Sequence, residues 1–263
     1  MKQLIKTFVF SIILILISII LFYFLGRDIW YPYYKDCIIN KDIEPIECNL
    51  THVDPHRIPL PPVINLKLTA PIEQLSSKQR LKRHLADSDF IFYPKKLTLI
   101  GMKNEKLLEV WAELRGRWVL LTTYPFTAFS GRLGPKYREG DGQIPEGVYR
   151  ISYLNPNSKF HLSMRVNYPN SFDKKMARRE KRTNLGGDIM IHGSTATVGC
   201  IPIGDDKIEE LYFLAEKVGI NNIKVILTPV DFRKMDVKIK NDKHPWLSEL
   251  YSNIKKELQV FKR

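Results

Sequence analysis

The chain has 263 residues, enough for one or two domains with a buried core. At 44% hydrophobic, 11% aromatic and 26% charged it is not a low-complexity or disordered chain, and three cysteines are too few for a disulfide-built miniprotein or a multi-cysteine metal cluster. A formal net charge of +13 suits anionic partners: nucleic acid, lipid headgroups or a carboxylate-rich polymer.

Residues 8–25 carry no charge, and Ser11, Ser18 and Tyr23 are their only interruptions. As a helix this run spans about 27 Å, close to the roughly 30 Å hydrocarbon core of a bilayer. Lys2 and Lys6 precede it, and Tyr23, Trp30, Tyr31, Tyr33 and Tyr34 fall where an aromatic belt would lie. The positive-inside rule then leaves the short N-terminus in the cytoplasm and the rest of the chain outside. A cleaved signal peptide is the alternative; Gly26-Arg27-Asp28 is a poor cleavage site, which favours an uncleaved anchor. Cys37 and Cys48 lie in a polar, Pro-containing stretch and are a disulfide candidate in an oxidising compartment.

A loop-like stretch follows, with Pro55, Pro59, Pro61 and Pro62, and then a short helix is predicted over about Ile72–Leu85. Strands are predicted at Leu97–Met102, Leu107–Leu114, Trp118–Tyr124, Val148–Tyr153, Phe160–Val166, Asp188–His192 and Ile223–Thr228. A glycine-rich segment, Ser130–Gly147, interrupts them and reads either as a mobile surface loop or as a flap over a substrate. The basic run Lys174–Arg182 reads as a solvated loop or as an electrostatic guide for an acidic polymer. A helix opens at Asp205/Asp206, where Asp206 and Glu209 have capping-box spacing, and Gly219 closes it. Leu247, Leu250, Tyr251, Ile254, Leu258 and Phe261 recur at helical spacing and make a packing face. The sum is a mostly β domain with a few helices.

Chemistry converges on Gly186–Asp206. His192 ends an apolar strand, and Cys200 ends a short loop of small residues that can set the thiol against the imidazole. Gly199 permits a tight turn that would aim the amides around Cys200 outward, as an oxyanion hole needs. A satisfied core histidine beside a buried cysteine is the competing interpretation. Asp188 is about 13 Å back along the strand, too far to orient His192, and reads as a turn or rim residue; a backbone carbonyl could do the orienting instead. His161, at a strand start, is a possible second-site residue, and nothing has zinc-ligand spacing.

Several blocks resemble the L,D-transpeptidase (YkuD-type) cysteine enzymes, and within them the YafK-like branch. They are Ile191-His192-Gly193 with Thr197-Val198-Gly199-Cys200, Ser130–Lys136, Glu139–Gly147 and Tyr168–Asp173. Val198 and Pro202 stand where the broader family has His and Arg or Asn. The resemblance implies a β-sandwich-like catalytic domain at 95–229. Around it would lie a cytoplasmic segment 1–7, an anchor 8–25, a linker with a short helical segment 26–94, and a C-terminal extension with an amphipathic helix 230–263.

The resemblance carries the nucleophile onto Cys200, the general base onto His192 and the oxyanion backbone onto Gly199. Gly193, Ser194, Thr197, His161, Lys136 and Arg138 are its substrate-binding candidates. It implies an acyltransferase acting on diamino-acid-containing peptidoglycan stem peptides, with no cofactor and no metal, in the inner membrane with its catalytic domain periplasmic. A wall-attached lipoprotein is a further potential partner, and nucleic acid is not. A hydrolase of the same fold (an L,D-carboxypeptidase or a murein–lipoprotein amidase) and a non-enzymatic, membrane-tethered wall-binding protein are the alternatives.

Overall fold

The computed structural model describes residues 71, 74–237 and 244–262. The predicted anchor and the Cys37/Cys48 pair lie outside the described residues. Within them, no helix is long and apolar enough to cross a membrane.

Eight strands form one mixed sheet: β1 (Leu97–Met102), β2 (Leu107–Leu114), β3 (Arg117–Pro125), β4 (Gly147–Ser158), β5 (His161–Val166), β6 (Met190–His192), β7 (Ile201–Pro202) and β8 (Ile223–Thr228). Their order is β3-β2-β1-β8-β4-β5-β6-β7. This corrects the expected sandwich of two sheets. The cause is β4: its first residues pair with β8, and its remainder pairs with β5 across bulges at Ile151/Tyr153 and Asn155/Ser158. Bulges bend a strand and increase its local twist, so one long strand turns the corner that two sheets would otherwise make. The result is a bent, half-barrel sheet.

Among the described residues four α-helices accompany it: α1 (Ser77–Asp87), α2 (Ser171–Arg179), α3 (Asp205–Val218) and α4 (Leu247–Leu258). α1 starts later than predicted because Ser76 and Gln79 form a capping box that fixes the N-terminus. α2 has no counterpart among the predicted elements. Its capping box joins Asn170 and Asp173, and it buries Met176 and Ala177, so much of the basic run 174–182 is helical. α3 begins at Gly204 with no side-chain cap. The expected Asp206/Glu209 box is absent because the helix already begins at Asp205, which puts Asp206 inside the first turn; Glu209 instead accepts from Ser77 Oγ and pairs with His161.

The central strand β1 is buried along its whole length. Its alternate residues enter different cores. Leu97 and Leu99 join a cluster with Ile208 and Leu211 of α3 and Leu81 of α1. Ile100 and Met102 join another with Trp111, Ile226 and the α4 stripe Leu247, Leu250, Tyr251, Ile254 and Leu258. The C-terminal stripe is therefore a packing face, as its periodicity predicted. α1 is clamped to α3 by Arg80, which donates to Glu210; Tyr124 Oη donates to the same carboxylate at 2.9 Å.

A buried ion pair ties the glycine-rich segment to both sides of this framework. Lys103 Nζ, with a fully buried side chain, reaches Glu146 Oε1 at 3.0 Å and the carbonyls of Gly134 (2.7 Å) and Ile144 (3.0 Å). Glu146 Oε2 accepts from Tyr251 Oη of α4 at 2.9 Å.

Candidate active site

β6 and β7 form a parallel pair in which Ile191 faces Ile201 and His192 faces Pro202. The loop between them carries Cys200, and this register brings residue 200 back beside Met190. The Met190 N–H donates to Cys200 Sγ at 3.4 Å, and the thiol donates to the Asp188 carbonyl at 3.5 Å. Cys200 is half-buried and unbridged.

The loop is closed by its own hydroxyls. Thr197 Oγ1 accepts from the Cys200 amide at 3.0 Å and donates to the Cys200 carbonyl at 2.8 Å. Gly199 has φ +91°, and a Cβ there would lie 3.0 Å from the Gln143 carbonyl, so the turn requires glycine on both counts. Its amide does not point to open space. It donates to Ser130 Oγ at 2.7 Å, and Ser130 in turn donates to the Gly142 carbonyl at 2.9 Å. The expectation of outward-aimed amides at 199 and 200 is therefore corrected: both are bonded to hydroxyls in this state. The glycine-rich segment lies directly against the thiol loop.

His192 is 1% exposed. Its Nδ1 lies 2.5 Å from the Gly193 carbonyl, so a backbone carbonyl is the orienting group. Phe160 covers the ring, with centroids 4.7 Å apart. Among the described residues Nε2 has no hydrogen-bond partner. Gly193 is sterically obligatory, because a Cβ there would collide with the Asp205 carboxylate and the Phe160 carbonyl.

Electrostatics leave the resting pair uncharged. Burial pushes the Cys200 thiol above its usual range; the Met190 amide partly offsets this, the Asp188 charge adds to it and the Lys136 charge opposes it. Burial lowers the His192 pKa, against the opposing bond to Gly193. The resting state is a neutral thiol and a neutral imidazole able to accept a proton.

The other predicted residues fall into two groups. Ser194 lines the turn after His192, its amide donating to Asp205 Oδ1 at 2.6 Å and its carbonyl accepting from Thr127 Oγ1 at 2.7 Å. Arg138 is exposed. Lys136 and His161 are engaged internally: Lys136 Nζ lies 2.6 Å from Asp141 Oδ1 and 2.9 Å from the Arg138 carbonyl, and His161 Nε2 is 2.7 Å from Glu209 Oε1. Both therefore shape local structure. Sequence reasoning did not single out Ser130, Asp205, Phe160 or Arg165. These are ordinary residue types whose role arises from contacts across many positions, and only Ser130 lay in a quoted block. Among the described residues no group of three or more His, Cys, Asp or Glu side chains converges to hold a metal ion.

Residues 99–230 match the L,D-transpeptidase catalytic domain family, YkuD. The chain belongs to that family. It is 26% identical over 164 residues to YafK of Escherichia coli (strain K12), a protein provisionally named as an L,D-transpeptidase; the match covers 61% of this chain. The chain thus spans 64% of the length of that curated relative. Similar solved structures include the helical cell shape determining protein Pgp2 from Campylobacter jejuni, at 20% identity and TM-score 0.43, covering 57% of this chain and 56% of that one. Bd1075 of Bdellovibrio bacteriovorus matches at 23% identity and TM-score 0.39, covering 54% of this chain and 51% of that one. In this YkuD domain His192 ends β6 and Cys200 immediately precedes the parallel strand β7, each held by backbone groups of its neighbours.

Proposed function

We propose that this chain is a cysteine-dependent acyltransferase of peptidoglycan, acting on stem peptides that contain a diamino acid. The supporting observation is the pairing of β6 with β7, which brings an unbridged, half-buried thiol beside the strand that ends in a carbonyl-oriented, neutral histidine.

In the first half-reaction His192 Nε2 accepts the Cys200 proton as sulfur attacks the carbonyl of the diamino acid residue. The C–N bond to the terminal D-alanine breaks, His192 returns the proton to the departing amine, and a thioester with Cys200 remains. The developing oxyanion needs N–H donors. An amine of a second stem then displaces sulfur and forms a cross-link. The net +13 charge favours approach of a carboxylate-bearing polymer. The lysine-preceded apolar stretch 8–25 supports an inner-membrane tether with the catalytic domain on the periplasmic side.

A hydrolase shares the first half-reaction and differs only in using water for the second. Incubation with defined muropeptides and mass spectrometry separates the two. Loss of D-alanine with dimer formation supports transfer, and loss without dimers supports hydrolysis. No change that depends on Cys200 would favour a wall-binding protein without chemistry.

A further inference from the structure

Arg165 lies two strands away from the thiol, and the acyl-transfer chemistry above leaves it unused. In β5 it pairs with Met190 of β6, the residue whose amide donates to Cys200 Sγ. Its guanidinium reaches Asp188 Oδ1 at 2.9 Å, and the carbonyl of that same Asp188 accepts from the Cys200 thiol at 3.5 Å. Arginine and sulfur thus meet on opposite sides of one residue. Both ends of the ion pair are open to solvent, the Arg165 side chain being 45% exposed and that of Asp188 79%. Asp188 itself is held at φ +55°, a left-handed conformation that aspartate tolerates better than most residues.

We infer that Arg165 is a substrate-binding residue that takes the carboxylate of the leaving D-amino acid in exchange for the Asp188 side chain. This rests on the acyl-transfer reading. A guanidinium presents a planar fork that suits carboxylate, and an exposed ion pair exchanges one carboxylate for another at little cost. Neighbouring strands are about 4.8 Å apart, which puts Arg165 about two strand spacings from the Cys200 position. A terminal carboxylate one residue beyond a carbonyl under attack by sulfur falls within that interval. Lys136 does not offer this service, since its ammonium is buried against Asp141 and a backbone carbonyl. Among the described residues Asp188 is the only carboxylate paired with Arg165.

The test uses binding, so that it does not depend on turnover. The full chain carrying Cys200→Ala is titrated with a stem tetrapeptide ending in D-alanine and with the same peptide as its C-terminal carboxamide. The acid should bind at least about tenfold more tightly. Adding Arg165→Gln should remove that preference by weakening the acid alone, and Asp188→Asn, which frees the guanidinium, should strengthen the acid alone. The affinity for the carboxamide should be unchanged in Arg165→Gln, whereas a residue that only held Asp188 in place would alter both peptides alike. Equal affinity for acid and amide, a preference that survives Arg165→Gln, or an equal loss for both peptides would each overturn the assignment. Turnover by the unmodified chain without any acid preference would sink this inference alone; an acid preference without turnover would sink the acyl-transfer reading alone.

Discussion

The Gly199 amide donates to the Ser130 hydroxyl at 2.7 Å, and this bond joins the glycine-rich segment to the loop that carries Cys200. Ser130→Ala removes it together with the bond to the Gly142 carbonyl. Stability should fall by about 1–3 kcal/mol in urea denaturation. Amide exchange at 199 should accelerate more than exchange in α3, because the loss is local. Uniform acceleration across the domain would contradict the link.

The ion pair of Lys103 and Glu146 is buried on both sides. Glu146→Ala leaves an ammonium with no counter-charge and should cost about 3–5 kcal/mol. Tyr251→Phe removes one bond to the same carboxylate from α4 and should cost about 1–3 kcal/mol. Denaturation midpoints of the two variants check the ranking. Equal losses would mean that α4, and not the ion pair, carries the stability.

Truncation before residue 244 strips α4 from Ile100, Met102, Trp111 and Ile226. The exposed apolar surface should make the shortened chain aggregate or lose cooperative unfolding. A soluble truncated chain with an unchanged melting temperature would contradict a structural role for α4.

Burial sets the pH behaviour of the site. The Cys200 thiol is raised, so iodoacetamide should alkylate it more slowly at pH 7 than a free cysteine, with the rate still climbing at pH 9. His192 is lowered below its usual 6.5, so the unfolded chain takes up its proton first on acidification. Its contribution to stability is present above about pH 6.5 and is lost as pH falls toward the folded value. His192→Gln should flatten that acid limb in denaturation curves recorded at successive pH values. A limb unchanged by the substitution would assign the loss to other groups.

Much of this was legible in the sequence. The bounds of β1, β2 and β8 follow directly from runs such as Leu97–Met102, where β-forming and apolar residues end at turns. Strand geometry set Asp188 aside as the partner of His192 and left a backbone carbonyl as an alternative, which is what Gly193 supplies. α2 escaped notice because its charged face masks a weak apolar stripe, although Asn170 and Asp173 had capping-box spacing. The single sheet was not readable, since bulges in β4 depend on partners far along the chain. The occupied amides at 199 and 200 and the Arg165–Asp188 pair were hidden for the same reason: each joins residues that only the folded sheet brings together.

Everything in the proposed chemistry requires a covalent acyl group on Cys200. The most direct measurement is intact-protein and peptide mass spectrometry after brief incubation with a stem tetrapeptide and an acid quench. A mass increase equal to the peptide less its terminal D-alanine, mapped to the peptide containing residue 200 and absent from Cys200→Ala, is the predicted result. Turnover that persists in Cys200→Ala would contradict it.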